Sequence, residues 1–200
     1  MKTYEKIMLE NLSWANEKKT LDKNYFARFT QLENPEFLWI GSSDSVVPIK
    51  EITNTEPGEI IAHRNMGNVV NADDECLMTL LEFAIRKFKV KHIVICGHNH
   101  CWGIRSVLDS DYYLPHSEKW LGSIKKVYEA NQREIDALPE DQKELQLAKL
   151  NVVEQIDRLY NLPIIKEIWG KDGCPRLHGW VYDVSNGLLE SLKEMDPQEA

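Results

Sequence analysis

Short apolar runs alternate with amphipathic stretches along this chain, and the alternation predicts strands interleaved with helices. Phe37-Leu38-Trp39-Ile40 is continuously apolar, as in a strand covered on both faces. His92-Ile93-Val94-Ile95 reads the same way, and Ile60 to His63 is a further candidate. Leu77, Leu80, Leu81, Ala84, Ile85 and Phe88 recur at helical spacing, the clearest amphipathic helix in the chain. Asp73-Asp74-Glu75 put negative charge at its start, and Arg86, Lys87 and Lys89 put positive charge near its end, both matching the helix dipole. Tyr4 to Lys18 and Asp22 to Leu32 read as two N-terminal helices. Trp120 to Ala137 and Asp141 to Tyr160 read as two more, split by Leu138-Pro139. Arg176 to Tyr182 is expected to form the last strand, followed by a short helix from Ser185. This βαβ rhythm implies an α/β fold: a mainly parallel sheet flanked by helices, in a single domain spanning residues 1–200.

Composition changes this picture little. A chain of 200 residues, 42% apolar and 28% charged, is ordinary for one globular domain with a sizeable core. The net charge of -8 argues against a nucleic-acid-binding surface, which would be basic. No apolar stretch approaches the roughly 20 residues of a membrane span, and Met1 to Thr20 lacks the apolar centre of a signal peptide. A cytoplasmic location is expected. The four cysteines are too sparse for a disulfide framework, so in a reducing compartment they are buried residues or ligands. Cys76 and Cys174 read as small buried hydrophobes, and Cys96 as facing the core.

Candidate chemistry lies just after two of the strands. Phe37–Ile40 leads into Gly41-Ser42-Ser43-Asp44-Ser45-Val46-Val47-Pro48, and His92–Ile95 into Cys96-Gly97-His98-Asn99-His100-Cys101-Trp102-Gly103. Loops after parallel strands gather at the carboxyl edge of the sheet, so these distant segments can meet there. His98 and Cys101, separated by two residues, can bind one metal from a tight turn; a packed strand-end histidine and a buried cysteine fit that spacing equally well.

The two segments resemble the halves of the zinc site of β-class carbonic anhydrases, which usually read C-S-D-S-R-V-P and G-H-x-x-C-G-G. The resemblance runs from about Trp14 to Leu189. It includes Glu56-Pro57-Gly58-Glu59, His63-Arg64-Asn65-Met66-Gly67-Asn68, Leu150-Asn151-Val152-Val153-Glu154-Gln155 and His178-Gly179-Trp180-Val181-Tyr182. It implies N-terminal helices that embrace a partner subunit, giving homodimers that often pair into tetramers. In the family, two Cys and one His hold zinc, and a metal-activated water attacks carbon dioxide to give bicarbonate. An Asp accepts a hydrogen bond from that water, and an Arg two residues on holds the Asp off the metal. Carried over, His98 and Cys101 match two ligands and Asp44 the Asp. Ser42 stands in place of the first Cys, and Val46 in place of the Arg. Members of one subtype let the Asp swing onto zinc, which nothing at Val46 opposes. The expected metal set is therefore Asp44, His98 and Cys101 around Zn²⁺, with an open position beside Ser42. A carboxylate plus a thiolate offsets the metal charge as two thiolates do.

Further departures cluster near this site. Glu33 stands where relatives often carry a pocket-lining Gln; it reads as an acid/base group, a partner for a cationic substrate, or a surface carboxylate. His100 reads as a substitute ligand, a proton shuttle or a solvent-facing side chain. Trp102 replaces a Gly and adds bulk to the pocket together with Val46. Trp39, Arg64 and Tyr182 match a non-catalytic bicarbonate site of the subtype, an Arg fork suiting a planar anion. Equally, Trp39 and Tyr182 suit the core, and Arg64 could pair with Glu59. Three functions follow: a divergent zinc lyase acting on carbon dioxide and bicarbonate, a metal-dependent hydrolase of another small electrophilic substrate, or a non-catalytic relative binding bicarbonate or a protein partner.

Overall fold

The structure, a computed structural model, describes residues 2–27, 29, 34–44, 46–109, 111, 115–171 and 173–197. The chain divides into two compact units, Met1–Glu33 and Asn34–Ala200.

In the first unit, α1 spans Thr3–Leu21 and buries none of its residues. Trp14 meets Tyr25 and Phe26 edge-on, with ring centroids 6.3 and 5.6 Å away. The second helix expected over Asp22 to Leu32 gives way to a turn at residues 23–26, and Arg28 and residues 30–32 lie outside the described residues. Asp22 explains the break. Its backbone is extended, and its carboxylate accepts from the Asn24 N–H at 2.9 Å, a turn-forming bond that competes with the helix.

The second unit is built on β1 (Phe37–Ser42), β2 (Ile60–Asn65), β3 (His92–His98), β4 (Arg176–Asp183) and β5 (Leu188–Met195). The sheet order is β2-β1-β3-β4-β5, parallel except for the antiparallel β5. Strands β1 and β3 lie side by side because both are apolar on both faces. Leu38, Ile40, Ile93 and Ile95 pack beneath Leu77 and Leu81 of α3 (Glu75–Glu82) and Ile156 of α6 (Glu140–Tyr160). The alternate positions Trp39, Val94 and Cys96 join Val47 and Tyr182 in a second cluster. A third cluster joins Ile104 of α4 (Trp102–Leu108) to Leu121, Ile124 and Ile135 of α5 (Ser117–Asp136) and Leu147 of α6. The short helices α2 (Ile49–Thr53) and α7 (Pro163–Trp169) complete the unit. Asp74 caps α3 by accepting from the N–H groups of Cys76 and Leu77. The helix then widens into a π-helical segment, Phe83–Phe88.

Two expectations are corrected here. The helix predicted from Ser185 is instead a hairpin turn leading into β5. Asp183 accepts from the backbone and hydroxyl of Ser185 and from the Asn186 amide, and Gly187 takes φ 75° to reverse the chain. The Asn186-Gly187 dipeptide is a strong hairpin signal, and it prevails over the leucines that follow. Cys76 and Cys174 are exposed rather than buried, because Leu77 and Leu81 take the core face of α3 and Cys174 precedes Pro175 in a loop.

Buried polar side chains tie α6 to the segment after β2. Asn151 donates to the Gly67 carbonyl, Gln155 donates to Asn151, and Gln155 accepts from the Val70 N–H, all at 2.8–3.0 Å. Such fully paired buried amides fix one register of helix against sheet.

Candidate metal centre

The parallel pairing of β1 with β3 matches Gly41 with Cys96, so the chain leaves both strands at the same edge. Ser42 ends β1 and Asp44 follows two residues on; His98 ends β3, and Cys101 immediately precedes α4. All four are buried. One ligand atom from each of Asp44, His98 and Cys101 lies within 4.8 Å of the others, the one such group among the described residues. The structure thus brings together the three side chains that the sequence offered as ligands.

Hydrogen bonds hold this cluster. The Asn99 carbonyl can only accept, so His98 Nδ1, 2.6 Å from it, carries the ring proton. Burial lowers the His98 pKa, with the Asn99 carbonyl and the Asp44 charge opposing. In the neutral ring Nε2 is a bare lone pair; it is buried without a hydrogen-bond partner, 3.4 Å from Asp44 Oδ2. The Asp44 carboxylate accepts from Ser42 Oγ at 3.1 Å and from the Trp102 N–H at 2.9 Å. Ser42 Oγ, its proton given to Asp44, lies 3.4 Å from Cys101 Sγ. Burial, then the charge of Asp44, pushes the Cys101 thiol up to about 11.

These donors fit a metal. An imidazole lone pair and a carboxylate oxygen facing one another across 3.4 Å repel unless a cation or a proton lies between them. Imidazole, carboxylate and thiolate are the donor types that zinc takes, and one of each balances its charge as two thiolates would.

The other sequence candidates fall around the cluster. Val46 is exposed. The Arg64 guanidinium from β2 donates to the carbonyls of Ser42 at 2.8 Å and Val47 at 2.7 Å, so it braces the loop backbone rather than pairing with Glu59. Trp39 and Tyr182 are buried in one cluster, and Trp39 Nε1 has no partner. His100 is outside the three-ligand group and largely exposed; its Nδ1 is 2.7 Å from Arg105 Nη2. The Trp102 indole is also exposed, while its backbone N–H serves Asp44. Glu33 lies outside the described residues. Sequence reasoning missed Arg105 and Glu144, which meet through a 2.7 Å ion pair beside His100. Nothing in their spacing marks them, because they come from different helices.

The chain is similar to known proteins over nearly its whole length. The family model described as carbonic anhydrase matches residues 37–189. A carbonic anhydrase of Emericella nidulans is 36% identical over 191 residues, covering 95% of this chain and 83% of that protein. One of two tetrameric β-carbonic anhydrases from Sordaria macrospora superposes with a TM-score of 0.91 at 32% identity, over 96% of this chain and 98% of the other. A Coccomyxa β-carbonic anhydrase in complex with acetazolamide gives 0.87 at 29% identity, over 98% and 89%. With the αβ sheet, the paired loops at its carboxyl edge and these matches in hand, the chain belongs to the β-carbonic anhydrase family.

Proposed function

We propose that this chain is a zinc-dependent enzyme that interconverts carbon dioxide and bicarbonate through a rebuilt metal centre of Asp44, His98 and Cys101. The observation that carries the reading is the orphaned, buried His98 Nε2 facing Asp44 beside Cys101. Zinc held there supplies Lewis acidity, making a water nucleophilic near neutral pH.

The chain's own groups divide the remaining work. The Asn99 carbonyl fixes the His98 tautomer and leaves Nε2 to bind. Ser42 and the Trp102 N–H each hold one Asp44 oxygen, so the carboxylate is oriented without the family's arginine. Each oxygen keeps a further lone pair for the metal. Ser42 brings no charge and lies between Asp44 and Cys101, 3.1 and 3.4 Å from them. Arg64 keeps the loop from Ser42 to Val47 in place through its carbonyls. Asp44, once a ligand, no longer receives the water's hydrogen bond as in the family.

The test is carbon dioxide hydration followed by a pH indicator in a stopped-flow instrument, with zinc-loaded protein and Cys101→Ala. Turnover that needs both zinc and Cys101 is expected. Equal rates in the two proteins would defeat the reading. Metal-dependent turnover of another small carbonyl compound, without hydration, would favour a hydrolase instead.

A second reading has one observation of its own. The unpartnered, buried Trp39 Nε1 is a donor awaiting an acceptor, which supports bicarbonate binding beside Arg64 and Tyr182. Bicarbonate should then raise the melting temperature, and Trp39→Phe should abolish the shift; a shift unchanged in the variant would rule it out.

A further inference from the structure

His98 and Cys101 are joined by a turn whose two middle residues are each tied to a different part of the sheet unit. Asn99 donates from Nδ2 to Asp183 at 2.9 Å and accepts at Oδ1 from the Val184 N–H at 2.8 Å. The His100 N–H donates to Glu144 Oε2 at 3.0 Å. The Arg105 guanidinium joins the pair, donating from Nε to Glu144 Oε1 at 2.7 Å and from Nη2 to His100 Nδ1 at 2.7 Å.

His100 has φ 60°, the left-handed conformation that a residue with a Cβ rarely adopts. Its side chain is 55% exposed, so packing does not impose that backbone. Polar contacts do. The Glu144 carboxylate takes hold of the bend at its backbone N–H, and the same carboxylate is oriented by Arg105, whose own N–H closes the first turn of α4 on the Cys101 carbonyl. The bend sets the direction in which the chain passes from His98 to Cys101. A change in it would move one ligand relative to the other.

We propose that Glu144 and Arg105 are positioning residues for the metal centre, holding the left-handed bend at His100 that brings His98 and Cys101 to one point. The inference rests on the metal reading of Asp44, His98 and Cys101. It assigns His100 a backbone role and gives its imidazole no part in binding the metal.

The experiment measures zinc affinity by competition with a chromophoric chelator, and the absorption spectrum of the cobalt(II) form. The proteins are the wild type, Glu144→Ala, Glu144→Gln and His100→Gly, each with the melting temperature of its metal-free form. Glu144→Ala is expected to weaken zinc binding about 10–100-fold, as loss of a group that orients ligands does, and to shift the cobalt bands. Glu144→Gln keeps an acceptor oxygen and should recover most of the affinity. His100→Gly, for which positive φ carries no steric penalty, should stay within about threefold of the wild type. If Glu144→Ala does not fold, Arg105→Gln takes its place, since it removes the group that orients the carboxylate. Native affinity with an unchanged cobalt spectrum in a folded Glu144→Ala would overturn the proposal, as would a His100→Gly protein weakened as much as Glu144→Ala. A wild type that binds no metal would defeat the metal reading and this inference together. A wild type that binds tightly, with Glu144→Ala equally tight, defeats this inference alone.

Discussion

Ser42 stands where the resemblance expects a zinc-binding cysteine, and its hydroxyl has definite partners there. It donates to Asp44 and sits beside Cys101, so under the proposed metal centre it orients a ligand rather than being one. Restoring the family pattern with Ser42→Cys and Val46→Arg should raise carbon dioxide hydration by about tenfold or more, roughly 1.4 kcal/mol of barrier. Stopped-flow rates that do not rise would place the constraint elsewhere in the pocket. The meeting of the two loops could be read from the sequence, because each follows an apolar strand end, but Asp44, His98 and Cys101 are singled out as ligands by the resemblance of those loops to the carbonic anhydrase motifs. The roles of Ser42 and the Trp102 N–H could not be read, since they depend on which way one carboxylate turns. Two histidines away from the centre set a pH dependence of stability. His92 is held below its usual pKa by burial, then by His178 and Arg176, with Glu36 opposing; His63 is lowered by burial, with Asp74 opposing. In the unfolded chain both protonate near about pH 6.5. Below that value the unfolded state binds more protons, so stability is full above about pH 6.5 and is lost as pH falls toward the folded-state values. Urea midpoints should drop between about pH 7.5 and about pH 5.5, less so in His92→Asn; a midpoint that rises on acidification would contradict the burial of these rings.

At the scale of elements, α4 approaches the turn after β2 closely. A Cβ on Gly103 would lie 2.9 Å from the Gly67 Cα, a contact that backbone must relieve. Gly67 itself takes φ 76°. Gly103→Ala should cost about 1–3 kcal/mol of stability and weaken zinc binding, because the shift moves the Trp102 N–H away from Asp44. Chemical denaturation and chelator competition measure the two effects; a variant as stable and as tight as the wild type would show that the helix is free to adjust. The strands β1 and β3 were legible as continuous apolar runs, buried on both faces, and the long helices α5 and α6 as amphipathic stretches. The reading failed where a local bond overrides periodicity: at Asp22, whose carboxylate turns the chain, and at Asn186-Gly187, whose hairpin replaces a helix. Arg105 and Glu144 escaped notice for the opposite reason, since their pairing exists only once α4 and α6 have packed.

For the whole molecule, α1 offers a surface without a function inside its own unit. It buries no residue, and Tyr4, Ile7, Met8, Leu9 and Leu12 are exposed along it. Several large apolar side chains exposed on one helix mark an interaction surface, and since the Sordaria macrospora relatives are tetrameric, further copies of this chain are the expected partner. Sedimentation should give a dimer or tetramer, and Ile7→Lys with Leu12→Lys should reduce it to smaller species; a monomeric wild type would assign α1 another partner. Among the described residues no helix is long and apolar enough to cross a membrane. Everything proposed for catalysis depends on a metal at Asp44, His98 and Cys101, so the most direct measurement is the zinc content of protein purified with zinc available, beside Cys101→Ala. About one zinc per chain in the wild type, lost in the variant, is the predicted result. Wild-type protein without zinc, or equal zinc in both, would contradict the rebuilt centre and turn attention to bicarbonate binding at Trp39, Arg64 and Tyr182.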